Sequence, residues 1–148
     1  LSGAPPEGAI DAHYDRGAPA DGGHLIREIL DAMVMNASEL KELCLALPGA
    51  GEEFPFNDEV SVFKVGGKMF ALSALDSAPL QVSLKCDPEL APHLRATYPS
   101  ITAGYHLSKR HWNTLTIDGS LPAAMVVDLL KDSYDLVVAS LPRTRRPT

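Results

Sequence analysis

The chain has 148 residues, 45% of them apolar and 22% charged, with a formal net charge of -6. That size suits one domain able to bury a core without disulfide or metal support. The acidic balance argues against an indiscriminate nucleic-acid coat, which draws its affinity from an excess of Lys and Arg, and no apolar run approaches membrane-spanning length.

Residues 1 to about 23 are rich in Gly, Ala, Pro and Asp with almost no large aliphatic side chains, and they read as a tail. His24 to Met35 has helical spacing at Leu25, Ile29 and Met33, which predicts a short helix. Met33 and Met35 also read as alternative first residues of the translated protein. Residues 1–35 are thus expected to be an N-terminal extension, without the basic and apolar regions of a secretory leader.

The domain itself is expected over residues 36–142. Asn36 with Glu39 has the form of a capping box, and Leu40, Leu43, Cys44 and Leu47 share one helical face before Pro48-Gly49. Glu52 to Phe56 reads as a short strand and Asn57-Asp58-Glu59 as a turn. Val60 to Val65 and Lys68 to Leu75 flank Gly66-Gly67, a hairpin signal because primed turns need positive φ. Leu80 to Lys85 predicts another strand, and Asp87-Pro88-Glu89 the start of a helix that buries Leu90 and Leu94 and stops before Pro99. A loop leads to a strand at Trp112 to Ile117. Pro122 opens a last helix with the stripe Val126, Leu129, Leu130, Tyr134, Val137 and Leu141, and residues 143–148 form a basic tail. The class is α+β, an antiparallel sheet with helices on one face.

A two-residue loop at Gly66-Gly67 pairs Val65 with Lys68, Phe63 with Phe70 and Ser61 with Leu72 on one face. The other face, with Val62, Lys64, Met69, Ala71, Val82, Leu84, Leu115 and Ile117, is more aliphatic and is expected to meet the helices. Phe63, Phe70 and Trp112 then point outward among Lys68, Lys85, Ser83 and Gln81. A one-residue slip would exchange the faces. Charge is unevenly spread. Residues 1–37 hold two basic against six acidic side chains, whereas residues 60–111 hold six basic against three acidic.

Cys44 and Cys86 lie in apolar periodic segments, not in a CxxC or Cys/His cluster, so they read as buried free thiols of a reducing cytoplasm.

From Glu39 to about Leu141 the chain resembles the MmcQ/YjbR family of small bacterial proteins. The segments that carry the likeness are Leu47-Pro48-Gly49, Pro55-Phe56, Val62 to Val65, Gly67 to Leu72, Leu84 to Pro88, Gly104-Tyr105-His106, Lys109 to Thr114 and Ser133 to Val137. The resemblance implies a frataxin-like (CyaY-like) α+β fold and a DNA-binding role.

Each signal has a plain counterpart. Lys109-Arg110 can neutralise phosphates or simply be solvated. Trp112 can stack on a base or anchor a core, and Phe63 with Phe70 can be a covered cross-strand pair. His106 and His111 lack a third metal ligand at a recognisable spacing. Tyr105, His106 and Lys109 could be assembled into an acid/base set, but no nucleophile elbow, phosphate loop or metal motif accompanies them. Glu39, Glu42, Glu52 and Glu53 could form an iron-holding ridge or a solvated one. The expectation drawn is a non-enzymatic nucleic-acid-binding protein, with DNA as partner and no cofactor, metal or membrane. It uses Lys68, Lys85, Lys109, Arg110, Trp112, Phe63 and Phe70. The alternatives are a homodimer or protein-interaction module burying the same face, then a small-molecule enzyme around His106.

Overall fold

Asn36 Oδ1 accepts from the Glu39 N–H at 2.8 Å and Glu39 Oε1 accepts from the Asn36 N–H at 2.9 Å, so the expected capping box starts α1 (Ala37–Ala46). This is a computed structural model, and it describes residues 34–104 and 106–147. The tail, the helix expected from His24 and the side chain of Tyr105 lie outside the described residues. Six strands follow: β1 (Gly51–Glu53), β2 (Ser61–Val65), β3 (Lys68–Ser73), β4 (Leu80–Lys85), β5 (Ile101–Ala103) and β6 (Trp112–Ile117). They form one antiparallel sheet in the order β1-β2-β3-β4-β6-β5. Two further helices, α2 (Ala91–Thr97) and α3 (Ala123–Ser140), pack with α1 on one face of it.

The core lies between the helices and that face. Leu40 and Cys44 of α1, Leu94 of α2 and Val126, Leu129, Leu130, Tyr134 and Val137 of α3 meet Val82, Leu84, Leu115 and Ile117 of the sheet. The stripe predicted for the last helix is therefore its buried face, with Met125 and Ser133 added to it. Gly66 and Gly67, at φ +59° and +85°, make the two-residue hairpin turn. Asp87 opens a turn rather than the helix itself: its Oδ1 accepts from the Glu89 N–H, its carbonyl accepts from Ala91, and α2 begins only there. β1 is shorter than the strand expected over Glu52 to Phe56, and β5 was expected to be loop. Residues 143–145 form a single 3₁₀ turn, with Arg145 Nη1 donating to the Gly66 carbonyl at 3.3 Å.

The register of the first hairpin departs from expectation. Val65 pairs with Lys68 and Lys64 with Met69, but Phe63 pairs with Ala71, so β3 carries one extra residue, Phe70. Such a bulge leaves the extra residue without a ladder partner and turns it onto its neighbour's side. The Phe70 carbonyl instead accepts from Ser133 Oγ of α3 at 2.6 Å, and that oxygen also accepts from the Lys85 N–H at 2.8 Å. Ser61, Phe63 and Val65 consequently face the helices, while Val62 and Lys64 face away. Phe63 and Phe70 are both 0% exposed, and Phe70 meets Tyr134 edge-on at a centroid distance of 5.4 Å. The β3–β4 and β4–β6 pairings keep the faces expected for Val82, Leu84, Leu115 and Ile117. Only β2 and the Lys68-Met69-Phe70 end of β3 are reversed; Ala71 and Leu72 keep their expected faces.

Candidate nucleic-acid interface

The face of the sheet opposite the helices is lined by alternate residues: Val62, Lys64, Leu72, Gln81, Ser83, Trp112, Thr114 and Thr116. Across β4 and β6 its floor is mostly hydroxyl and amide, while Val62 and Leu72 make it apolar across β2 and β3. Gln81 Nε2 donates to Thr116 Oγ1 at 2.9 Å, and Ser83 and Thr114 share a hydrogen bond at 2.8 Å across β4 and β6. Two loops rise at its sides. Between β1 and β2, Asn57 Oδ1 accepts from the N–H groups of Glu59 and Val60 at 2.8 and 3.0 Å, an Asx turn that fixes the chain just after Phe56. Phe54 and Phe56 stay 49% and 63% exposed.

The second loop joins β5 to β6. Ser108 accepts from the N–H groups of both His111 and Trp112, and the Cys86 N–H donates to the His111 carbonyl at 2.7 Å, tying the loop to the end of β4. Arg95 of α2 donates through Nη1 to the Lys109 carbonyl at 3.1 Å and to Asn113 Oδ1 at 2.7 Å. Lys109 and Arg110 are left with exposed side chains at the tip. His106 has φ +59°, the left-handed region that only a few non-glycine residues visit. Between the loops lies a groove of about 560 Å³, lined by Phe56, Asn57, Leu72, Gln81, His106 and Thr114 among others.

Of the seven residues expected to bind, Lys85 and Trp112 belong to this face by strand alternation, and Lys109 and Arg110 stand exposed at the tip of the β5–β6 loop, whose Lys109 carbonyl is held by Arg95 of α2. Lys85 and Trp112 are direct cross-strand partners. Trp112 faces away from the helices as expected but is only 8% exposed and lies outside the continuous core. Gly104, just past β5, donates to the Trp112 carbonyl at 3.0 Å and passes so close that a Cβ there would come within 2.8 Å of the Trp112 Cβ. It is a covered anchor, not an open platform. Phe63 and Phe70 are withdrawn into the core by the bulge. Lys68 projects on the helix side, its Nζ 3.4 Å from Ser140 Oγ. Lys64, expected inward, points to the open face and pairs with Glu53 at 3.0 Å. The acidic ridge is dispersed as well, because Glu39 caps α1, Glu52 pairs with Lys41 at 3.2 Å and Glu53 lies on the opposite side of the sheet. Among the described residues no three His, Cys, Asp or Glu side chains cluster to hold a metal ion.

Phe56, Asn57 and Leu107 were missed as lining residues. The signal was available in Pro55-Phe56-Asn57: an aromatic between a proline and a turn-forming asparagine belongs to a loop tip, where burial is not guaranteed.

Comparison with known proteins agrees with the layout. The family model described as YjbR matches residues 45–136. The protein YjbR of Escherichia coli K12 is 37% identical over 113 residues, covering 76% of this chain and 95% of that one. YbdF of Escherichia coli O157:H7 is 41% identical over 102 residues, 68% and 83% of the two chains. A crystal structure of a Deinococcus radiodurans protein superposes with a TM-score of 0.72 at 42% identity, covering 76% of this chain and 86% of that one. A Pseudomonas syringae protein gives 0.61 at 26% identity, covering 70% and 99%. With its sheet, its helices and most of its length matched in this way, the chain belongs to the YjbR family.

Proposed function

We propose that the protein is a non-enzymatic nucleic-acid-binding protein, with DNA as its first candidate ligand, and that it works through the open face of the sheet. The observation that carries this reading is the groove beside Phe56, an exposed ring over a floor that is hydroxyl and amide across β4 and β6. A base can stack on such a ring whatever its sequence, and Lys109 and Arg110 are exposed cations on the same loop that supplies His106 and Leu107 to the groove. The ring is Phe56, on a loop, instead of Phe63 or Phe70. We read the layout as frataxin-like, a helix-backed antiparallel sheet with a free face. Two buried free thiols suit a reducing cytoplasm; among the described residues no helix is long and apolar enough to cross a membrane.

Fluorescence anisotropy with labelled single- and double-stranded oligonucleotides over a range of salt is the test. About three neutralised phosphates give a log-log salt slope of roughly -2 to -3. Phe56→Ala should weaken binding by about 1–3 kcal/mol, and Lys109→Glu with Arg110→Glu should flatten the slope. No binding, or binding indifferent to salt, refutes the reading. A second reading, a homodimer or partner contact through Phe54 and Phe56, is favoured by their joint exposure at the sheet edge. Sedimentation at micromolar concentration checks it, because a monomer excludes the homodimer.

A further inference from the structure

On the helix side of the sheet α2 and α3 do not close over β4 and β6. They leave a cleft of about 320 Å³ lined by Leu84, Cys86, Leu94, Leu115, Leu129 and Leu136. Its volume falls within the range of small-ligand sites, and its walls are almost wholly apolar. The polar groups at its base are already used: Asn113 donates to the Ala91 carbonyl and accepts from Arg95. What distinguishes the cleft is its rim, where Asp87 stands on one side and Asp132 and Asp135 of α3 on the other.

The Cys86 thiol at the base responds to that rim. It is pushed up to about 11, first by burial and then by Asp87 and Asp132, with Arg95 opposing them. Lys85 also borders the cleft, but strand alternation assigns its side chain to the other face, beside Trp112. An apolar base under a negative mouth selects its occupant by chemistry. A hydrocarbon or aromatic body gains by leaving water, and an amine at one end stays at the rim beside the carboxylates. A carboxylate in the same place would meet like charge.

We infer that this cleft is a binding site for a small apolar organic cation, an aromatic or aliphatic amine whose ring or chain lies on Leu84, Leu115 and Leu129 and whose ammonium faces Asp132 and Asp135. The site is separate from the groove beside Phe56, and nucleic-acid binding neither requires nor excludes it.

The probes are tryptamine and indole-3-propionate, titrated by calorimetry into the full chain. They share a ring and differ in the sign of the terminal charge. Tryptamine should bind at least about ten-fold more tightly than the acid, ~1.4 kcal/mol. Asp132→Asn with Asp135→Asn should remove most of that preference. Ala139→Trp, a change at an exposed helix position on the rim, should block the mouth and abolish binding of tryptamine while leaving the melting temperature near that of the parent. Failure of tryptamine to bind saturably, equal affinity for both probes, or undiminished binding in the Ala139→Trp chain overturns the assignment.

Discussion

Replacing Trp112 by Ala separates a structural anchor from a stacking platform. A tryptophan side chain presents on the order of 200 Å², and Trp112 is 8% exposed, so about 180 Å² leaves water on folding. At about 25 cal/mol per Å² that corresponds to about 4.5 kcal/mol, an upper figure because the unfolded chain already buries part of it. Relaxation of the surrounding chain into the space left by the ring returns a fraction. Trp112→Ala should therefore destabilise the domain by about 3–4 kcal/mol. Urea unfolding followed by far-UV circular dichroism measures this directly. Because Trp112 is the sole tryptophan of the chain, acrylamide quenching of the parent gives an independent reading and should be weak until the protein unfolds. A loss under about 1 kcal/mol, with free quenching in the native state, would show that the ring is available to ligands and that its burial is wrongly assigned.

Ser133→Ala removes the hydroxyl that serves both the Phe70 carbonyl and the Lys85 N–H. With both groups left inside the fold unpaired, the cost should be about 2–4 kcal/mol by denaturant unfolding, against well under 1 kcal/mol for Ser140→Ala on the exposed side of the same helix. The thiols give a pH dependence. Burial, then Glu52, raises Cys44 from 9.0 to about 12. Its contribution is therefore complete below pH 9 and is lost as pH rises from there toward 12, since only the unfolded chain deprotonates readily in that window. The urea midpoint should fall between pH 8 and pH 10.5, and fall less in Cys44→Ala. A thiol reagent at pH 8 should label Cys44 and Cys86 slowly until denaturant is added.

Much of the architecture was legible because local rules and burial agreed. The capping box at Asn36, the Gly66-Gly67 turn and the stripe along α3 each follow from a spacing or a backbone requirement that tertiary structure left alone. The open face of the sheet was read less well, chiefly because of one residue. Alternation in Val60 to Val65 and Lys68 to Leu75 permits two pairings that differ by one residue, and nothing within the hairpin says that Phe70 is extra. The information sits 63 residues away, in Ser133, a polar residue in an otherwise apolar stripe. The pairing of Lys85 with Trp112 was legible because β4 and β6 carry no bulge. The burial of Trp112 was not, because alternation assigns its face but not what packs over that face.

The extra residue in β3 also bears on the order in which the chain can assemble. Isolated, residues 60 to 75 have a glycine turn and two apolar strands that suit the regular pairing, Phe63 opposite Phe70, as well as the bulged one. Part of the advantage of the bulged form comes from the hydroxyl of Ser133 and the ring of Tyr134, both delivered by the last helix. The hairpin is thus free to form early in either version, but its final alignment is chosen late. A chain interrupted before α3 would retain the strands while leaving both phenylalanines without a settled side, the open edge and unburied rings from which misassembly starts.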